Sequence, residues 1–224
     1  MARPPQLVLI MIVYWLGAAI AATHGESFHS QRFVIGLVVV LVGSASVHHA
    51  NEYADAETDE LTTRTPFSGG SGALPETGLS PNVALAAGTV SLTATALLVI
   101  LYWQALPSIA FVVLAIGIAL GWQYSVGPLR LAWRGFGELD NAILGGMLLP
   151  LYGYVVQTSS LTIEVVLALV PFTAIVFVNL LDTTWPDRTA DAAVGKNTLA
   201  TRWSARRLRT LYTYCTCGFR RRCR

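Results

Sequence analysis

Two stretches of the sequence repeat acidic side chains at a four-residue step. In NEYADAETDE, residues 51–60, Asn51, Asp55 and Asp59 are spaced in this way. In PDRTADAAVGKNTL, residues 186–199, Asp187 and Asp191 are, with Gly195 and Lys196 following. Four residues turn an α-helix by about 400°, so each step drifts only about 40°. Asn51, Asp55 and Asp59 therefore stack along one helix face with Glu52 beside them, while Glu57 and Glu60 point elsewhere as solvated acids. Stacked oxygen donors repel one another unless a cation lies among them. Oxygen-only donors suit a hard ion such as Mg2+, which keeps waters and takes phosphate oxygens from a substrate. The first cluster alone reads equally well as a solvated acidic helix end, and a lone DxxxD is common by chance. Together, each at the end of an apolar span, they point to two metal ions with a diphosphate bridging between them.

Cations near these acids are candidates for direct phosphate contacts: Lys196, Arg64 and Arg130. Arg130 and Arg134 read equally well as anchors at a membrane surface. Asp182 lies nearer the interior of its span and ranks below Asp187 and Asp191 as a ligand or support. His48 and His49 carry no HExxH spacing and read as interfacial polar residues.

The elements that must position these residues are membrane helices. The chain has 224 residues, 54% hydrophobic and 12% charged, against about a quarter charged in soluble domains. A bilayer core about 30 Å thick takes about 20 apolar residues as a helix. Six such spans are predicted, at 6–23, 33–50, 82–103, 107–123, 139–157 and 162–182. Only Arg3 precedes the first, and AIAATHG is a weak cleavage site, so it reads as a retained helix rather than a signal peptide. The net charge of +2 is too small to indicate nucleic acid. Basic residues gather in the loops after the second, fourth and sixth spans, whereas the opposite loops hold only Arg32. The positive-inside rule then places the N-terminus and the acidic loops in the cytoplasm.

The odd-numbered loops are short or bland; the even-numbered ones hold the polar motifs. After the acidic stretch comes TRTPFSGGSGALPETGLSP, whose Gly, Pro, Ser and Thr suit turns and exposed amides. The fourth span leads into QYSVGPLRLAWRGFGELD. Pro186 obliges the sixth span to end or kink before Asp187. All three cysteines, Cys215, Cys217 and Cys223, fall in the last ten residues, so no disulfide framework and no standard zinc spacing is implied.

Taken in order, these motifs resemble the UbiA family of intramembrane prenyltransferases. The stepped Asn51, Asp55 and Asp59 match its first signature, and DRTADAAVGKNTL its second. YSVGPLRLAWRGFGEL is similar to its Tyr-containing middle segment, and RTPFSGGSGAL to the corresponding loop of the dihydroxynaphthoate prenyltransferases of menaquinone synthesis. The resemblance covers most of residues 6–202 and implies an all-α bundle of nine transmembrane helices around a central cavity. It implies Mg2+-dependent transfer of a polyprenyl chain from its diphosphate to an acceptor, often aromatic. It implies metal ligation by Asn51, Asp55, Asp59, Asp187 and Asp191, with Tyr124, Arg64, Ser68, Arg130 and Lys196 around the substrate. Six full spans and the start of a seventh, RWSARRLRTLYTY, are expected here, as a transmembrane domain over 1–214. CTCGFRRRCR, residues 215–224, is a basic tail unlike the family, and a truncation or frame shift near residue 214 would account for it.

The chemistry implied is ionisation of an allylic diphosphate. Metal and cationic side chains neutralise the leaving group, and an acceptor carbon attacks the carbocation in a dry cavity. Tyr124 is a candidate to stabilise positive charge with its ring face; the plainer reading is an interfacial tyrosine. The acceptor stays open among dihydroxynaphthoate, hydroxybenzoate, a chlorin and a glyceryl lipid. Two other classes remain. A lipid head-group alcohol transferase would carry a DGxxAR segment, and none occurs. A non-catalytic protein or transporter would place acids mid-span rather than at span ends.

Overall fold

Backbone amides inside a bilayer find no water, so each long apolar run closes its hydrogen bonds within itself as a helix. The computed structural model describes residues 4–61 and 71–220. In chain order the helices are α1 (Pro4–Thr23), α2 (Ser30–Ala54), α3 (Ala56–Leu61), α4 (Ala73–Thr77), α5 (Pro81–Leu101) and α6 (Ser108–Ser125). A 3-10 turn, Leu131–Arg134, precedes α7 (Gly137–Ile143) and α8 (Leu149–Thr158). α9 (Ile163–Thr184), α10 (Arg188–Ala193), α11 (Leu199–Arg202) and α12 (Ala205–Arg220) complete the chain. Six segments are long and apolar enough to cross a membrane: α1, α2, α5, α6, the continuous run Gly137–Thr158 and α9. They overlap the six predicted spans. There are no strands among the described residues, so the all-α bundle stands.

The run Gly137–Thr158 departs from a regular helix. Between α7 and α8, Leu144–Leu148 is π-helical. There the bundle packs against α9 near Pro171. A Cβ on Gly146 would lie 2.6 Å from Thr173 Cα, so only glycine allows this approach. α1 and α8 cross just as closely. A Cβ on Gly153 would stand 2.1 Å from Tyr14 O. Small residues that let backbones touch are a main source of packing energy between membrane helices.

The core lies where α1, α2, α6, α8 and α9 meet, around Tyr14, Val39, Tyr152, Val155, Val165 and Leu169. Buried tyrosines need partners for their hydroxyls. Tyr14 Oη donates to Phe33 O at 3.0 Å, and Tyr152 Oη to Gly36 O at 3.3 Å. Val90, Leu97, Ile100 and Leu167 stand exposed on the outside of the spans, as lipid-facing residues must.

α12 begins where the seventh helix was expected, packs against α9 and buries Leu208. It is amphipathic rather than apolar, and it continues without a break across residue 214, where a separate tail was expected to begin.

Candidate active site

The first acidic motif sits where α2 hands over to α3. The helical hydrogen-bond ladder survives the junction: Asp55 N donates to Asn51 O at 2.9 Å and Asp59 N to Asp55 O at 2.8 Å. The four-residue stack read from the sequence is therefore present, and Asn51, Asp55 and Asp59 all line one cavity. Asn51 Oδ1 accepts from Ser125 Oγ at 2.8 Å, tying α2 to α6. Glu52 is buried, outside the cavity lining, and its carboxylate accepts a hydrogen bond from Ser71. Glu57 and Glu60 are exposed, as expected.

The second motif flanks α10. Asp187 precedes its first turn and Asp191 lies within it, joined by a 2.8 Å bond from Asp191 N to Asp187 O. Gly195, at φ +76°, reverses the chain, and Lys196 N donates back to Asp191 O at 2.8 Å. The Lys196 side chain then reaches across to the first motif. Its Nζ donates to Asp55 Oδ1 at 2.8 Å and lies 3.7 Å from Asp191 Oδ1. One ammonium thus joins the two motifs, across the 141 residues that separate Asp55 from Lys196.

Electrostatics follow from this crowding. Burial pushes the Asp191 carboxyl up to about 6; Lys196 opposes the rise, while Asp55 and Asp187 add to it. Burial alone would lower the Lys196 pKa. The fields of Asp55, Tyr124 and Asp191, with the hydrogen bond to Asp55, outweigh it, and the ammonium sits above its ordinary value.

Tyr124, at the end of α6, lines the cavity beside Lys196 and the acids. Glu138 lines it too and was not singled out from the sequence. It is buried, and its Oε1 accepts from Leu199 N at 2.7 Å, fastening α7 to the start of α11. Its signal was the acid of GFGEL, noted there only as part of a motif. Arg130, expected at the phosphates, is instead exposed and outside the cavity lining, with its guanidinium 5.1 Å from the Trp133 ring centroid. Its backbone is in the left-handed region, φ +44°. Arg134 is exposed and donates to Pro128 O, and Asp182 is exposed away from the cavity. His48 lines the cavity; His49 does not. Arg64 and Ser68 lie outside the described residues. Among the described residues Lys196 is the only lysine or arginine lining the cavity.

The cavity measures about 810 Å³. Asp55, Asp59, Asp187, Asp191 and Lys196 form one end, and its body is walled by apolar residues such as Val40, Leu114, Leu148 and Phe172. Such a shape suits an amphiphile with a polyanionic head and an apolar tail. The oxygen-only donor set fits a hard divalent cation. Among the described residues no three acidic, histidine or cysteine side chains converge as a ready-made metal cage. A cation held here would complete its shell with water or ligand oxygens, as Mg2+ commonly does.

Comparison with known proteins places the geometry in a lineage. A UbiA homolog from Archaeoglobus fulgidus, solved bound to GPP and Mg2+, superposes with a TM-score of 0.70 at 19% identity, over 93% of this chain and 70% of that one. The apo structure of a UbiA homolog from Aeropyrum pernix K1 gives 0.69 at 17% identity, over 96% and 76%. At these identities the likeness establishes the shared fold. The 1,4-dihydroxy-2-naphthoate octaprenyltransferase of Bacillus subtilis (strain 168) is 28% identical over 206 residues, 89% of this chain. The chain spans 63% of that relative's length. The model of the UbiA prenyltransferase family matches residues 9–219, and the chain belongs to that family.

Proposed function

We propose that the chain binds a polyprenyl diphosphate in this cavity and transfers the prenyl group to an aromatic acceptor of the dihydroxynaphthoate kind. The observation that carries this reading is one cavity of about 810 Å³ with both acidic motifs at one end and an apolar body beyond them. The naphthoate octaprenyltransferase from Bacillus subtilis and the GPP-bound homolog from Archaeoglobus fulgidus support it.

Asn51, Asp55, Asp59, Asp187 and Asp191 would hold Mg2+, which when bound offsets the negative charge growing on the departing diphosphate. Lys196 supplies a further positive charge at the same end. The allylic C–O bond breaks, its electron pair leaving with the diphosphate. An electron-rich acceptor carbon then forms the new C–C bond, and the ring regains its aromaticity by losing the group that carbon bore, a proton or, at a carboxyl-bearing carbon, CO2. Valine, leucine and phenylalanine walls exclude the water that would otherwise quench the cation. Tyr124 faces the same space and offers a ring face to positive charge. The N-terminus and the acidic loops face the cytoplasm in this reading.

Membranes containing the chain, given a polyprenyl diphosphate and dihydroxynaphthoate, should release diphosphate only when Mg2+ is present. Mass spectrometry of the product identifies the acceptor, with hydroxybenzoate, a chlorin and a glyceryl lipid as competitors. Diphosphate release that ignores Mg2+, or no prenylated product from any acceptor, overturns the assignment.

A further inference from the structure

Lys196 is the only lysine in the sequence; the other Lys and Arg positions, of 15 in all, are arginines. That lysine is buried at the meeting point of the two acidic motifs, with Nζ 2.8 Å from Asp55 Oδ1 and 3.7 Å from Asp191 Oδ1. The geometry calls for one compact charge. A guanidinium presents a planar fork suited to a single bidentate partner, whereas an ammonium is a point charge whose donors radiate to separate oxygens. It is the closest side-chain equivalent of a metal ion.

The main chain around it is fixed while the side chain has room to move. Lys196 N donates to Asp191 O at 2.8 Å, and Lys196 O accepts from Thr201 Oγ1 at 3.2 Å. Glu138 fastens the following residues through Leu199 N. The flexible four-carbon stem can swing about this anchor into the cavity that it already lines. Without a positive charge between them, the Asp55 and Asp191 carboxylates, on separate elements, would repel in a poorly solvated place.

We propose that Lys196 is a resident counter-cation, a positioning residue that holds the two acidic motifs together until a divalent cation displaces it, whereupon its ammonium turns to the diphosphate. The proposal rests on reading the acidic motifs as a divalent-cation site. It gives lysine two successive roles and explains why an otherwise all-arginine chain keeps one lysine. Replacing one unit of positive charge by two, while retaining the ammonium, also leaves the site more positive as a polyanion arrives.

Because no other lysine exists, an amine-acylating reagent reports on this one side chain in the wild-type protein, the N-terminal amine being separated by peptide mass spectrometry. In detergent-solubilised full chain, Mg2+ alone should raise the Lys196 acylation rate about tenfold, the ratio that 1.4 kcal/mol of lost pairing gives. Adding inorganic diphosphate with Mg2+ should suppress it again. Lys196→Met should bind Mg2+ alone about tenfold more tightly by calorimetry. The same variant should bind Mg2+-diphosphate more weakly than wild type. Its unfolding temperature without metal should fall and be raised by Mg2+ more than that of wild type. An acylation rate that Mg2+ leaves unchanged or slows, in protein shown by calorimetry to bind Mg2+, overturns the counter-cation role while sparing the cation site. Unchanged or weaker Mg2+ affinity in folded Lys196→Met does the same. Wild-type protein that binds no Mg2+ overturns both. If Lys196→Met does not fold, the wild-type acylation rates decide.

Discussion

At the scale of single residues, a change of helix face separates acids that line the cavity from acids that do not. Asp55 and Asp187 line the cavity from opposite motifs, whereas Glu57 stands exposed on the same short stretch as Asp55. Asp55→Ala and Asp187→Ala should each lower diphosphate release at least about a hundredfold, the scale of losing one group that stabilises transition-state charge. Glu57→Ala should leave it nearly unchanged, and a steady-state diphosphate-release assay on membranes compares all three. Full activity in either aspartate variant refutes the ligand assignment. Glu138 acts through the backbone instead. Removing its carboxylate leaves Leu199 N without its partner, a loss of about 1–3 kcal/mol. Glu138→Ala should therefore unfold at a lower temperature in detergent, while Glu138→Gln, which retains an acceptor oxygen, should recover most of that loss. The four-residue steps were legible because a helix translates spacing directly into a shared face. The destinations of Arg130 and Glu138 were not. Whether an arginine reaches a phosphate or settles on a neighbouring Trp133 depends on a left-handed backbone turn that spacing does not encode.

At the scale of elements, spans announce themselves by hydropathy, but their contacts depend on where small residues fall. The six runs were readable since a bilayer enforces length and apolarity together. The π-helical interruption at Leu144–Leu148 was not, because it answers to the approach of α9 rather than to any local pattern. Glycine is the element's contact surface in these places. A leucine at Gly153 would drive its side chain into the α1 backbone, where even a Cβ meets Tyr14 O at 2.1 Å. Gly153→Leu should therefore cost more than the roughly 1–3 kcal/mol of ordinary overpacking, because backbone cannot step aside as a side chain can. Gly117 in α6 is the control. A Cβ there meets nothing within 4 Å, and Gly117→Ala should leave stability unchanged or raise it by up to about 1 kcal/mol through helix propensity. Thermal unfolding of both variants in one detergent tests the contrast. A Gly153→Leu protein as stable as wild type would mean that α1 and α8 do not cross as described.

At the scale of the whole molecule, the bundle sorts its charge by end. The acidic motifs, Lys196 and the segments carrying Trp133, Glu138 and Leu199 are knit together by hydrogen bonds, so the loops after the second, fourth and sixth spans share one end of the bundle. Arg32 donates to Ser159 Oγ, and His29 N to Gln157 Oε1, which joins the loops of the opposite end. Arg130, Arg134, Arg188, Lys196 and Arg202 are all at the first end, against Arg32 at the second. By the positive-inside rule this asymmetry predicts that the first end faces the cytoplasm, with the exposed arginines that touch no cavity supplying the bias. Cysteines placed at Glu57 and at Glu26, each in a background with Cys215, Cys217 and Cys223 replaced by serine, read the outcome. In right-side-out vesicles a membrane-impermeant maleimide should label Glu26→Cys and spare Glu57→Cys. In inside-out vesicles the pattern should reverse. Labelling of Glu57→Cys from outside would turn the bundle over, and the acidic end of the cavity would then open away from the cytoplasm.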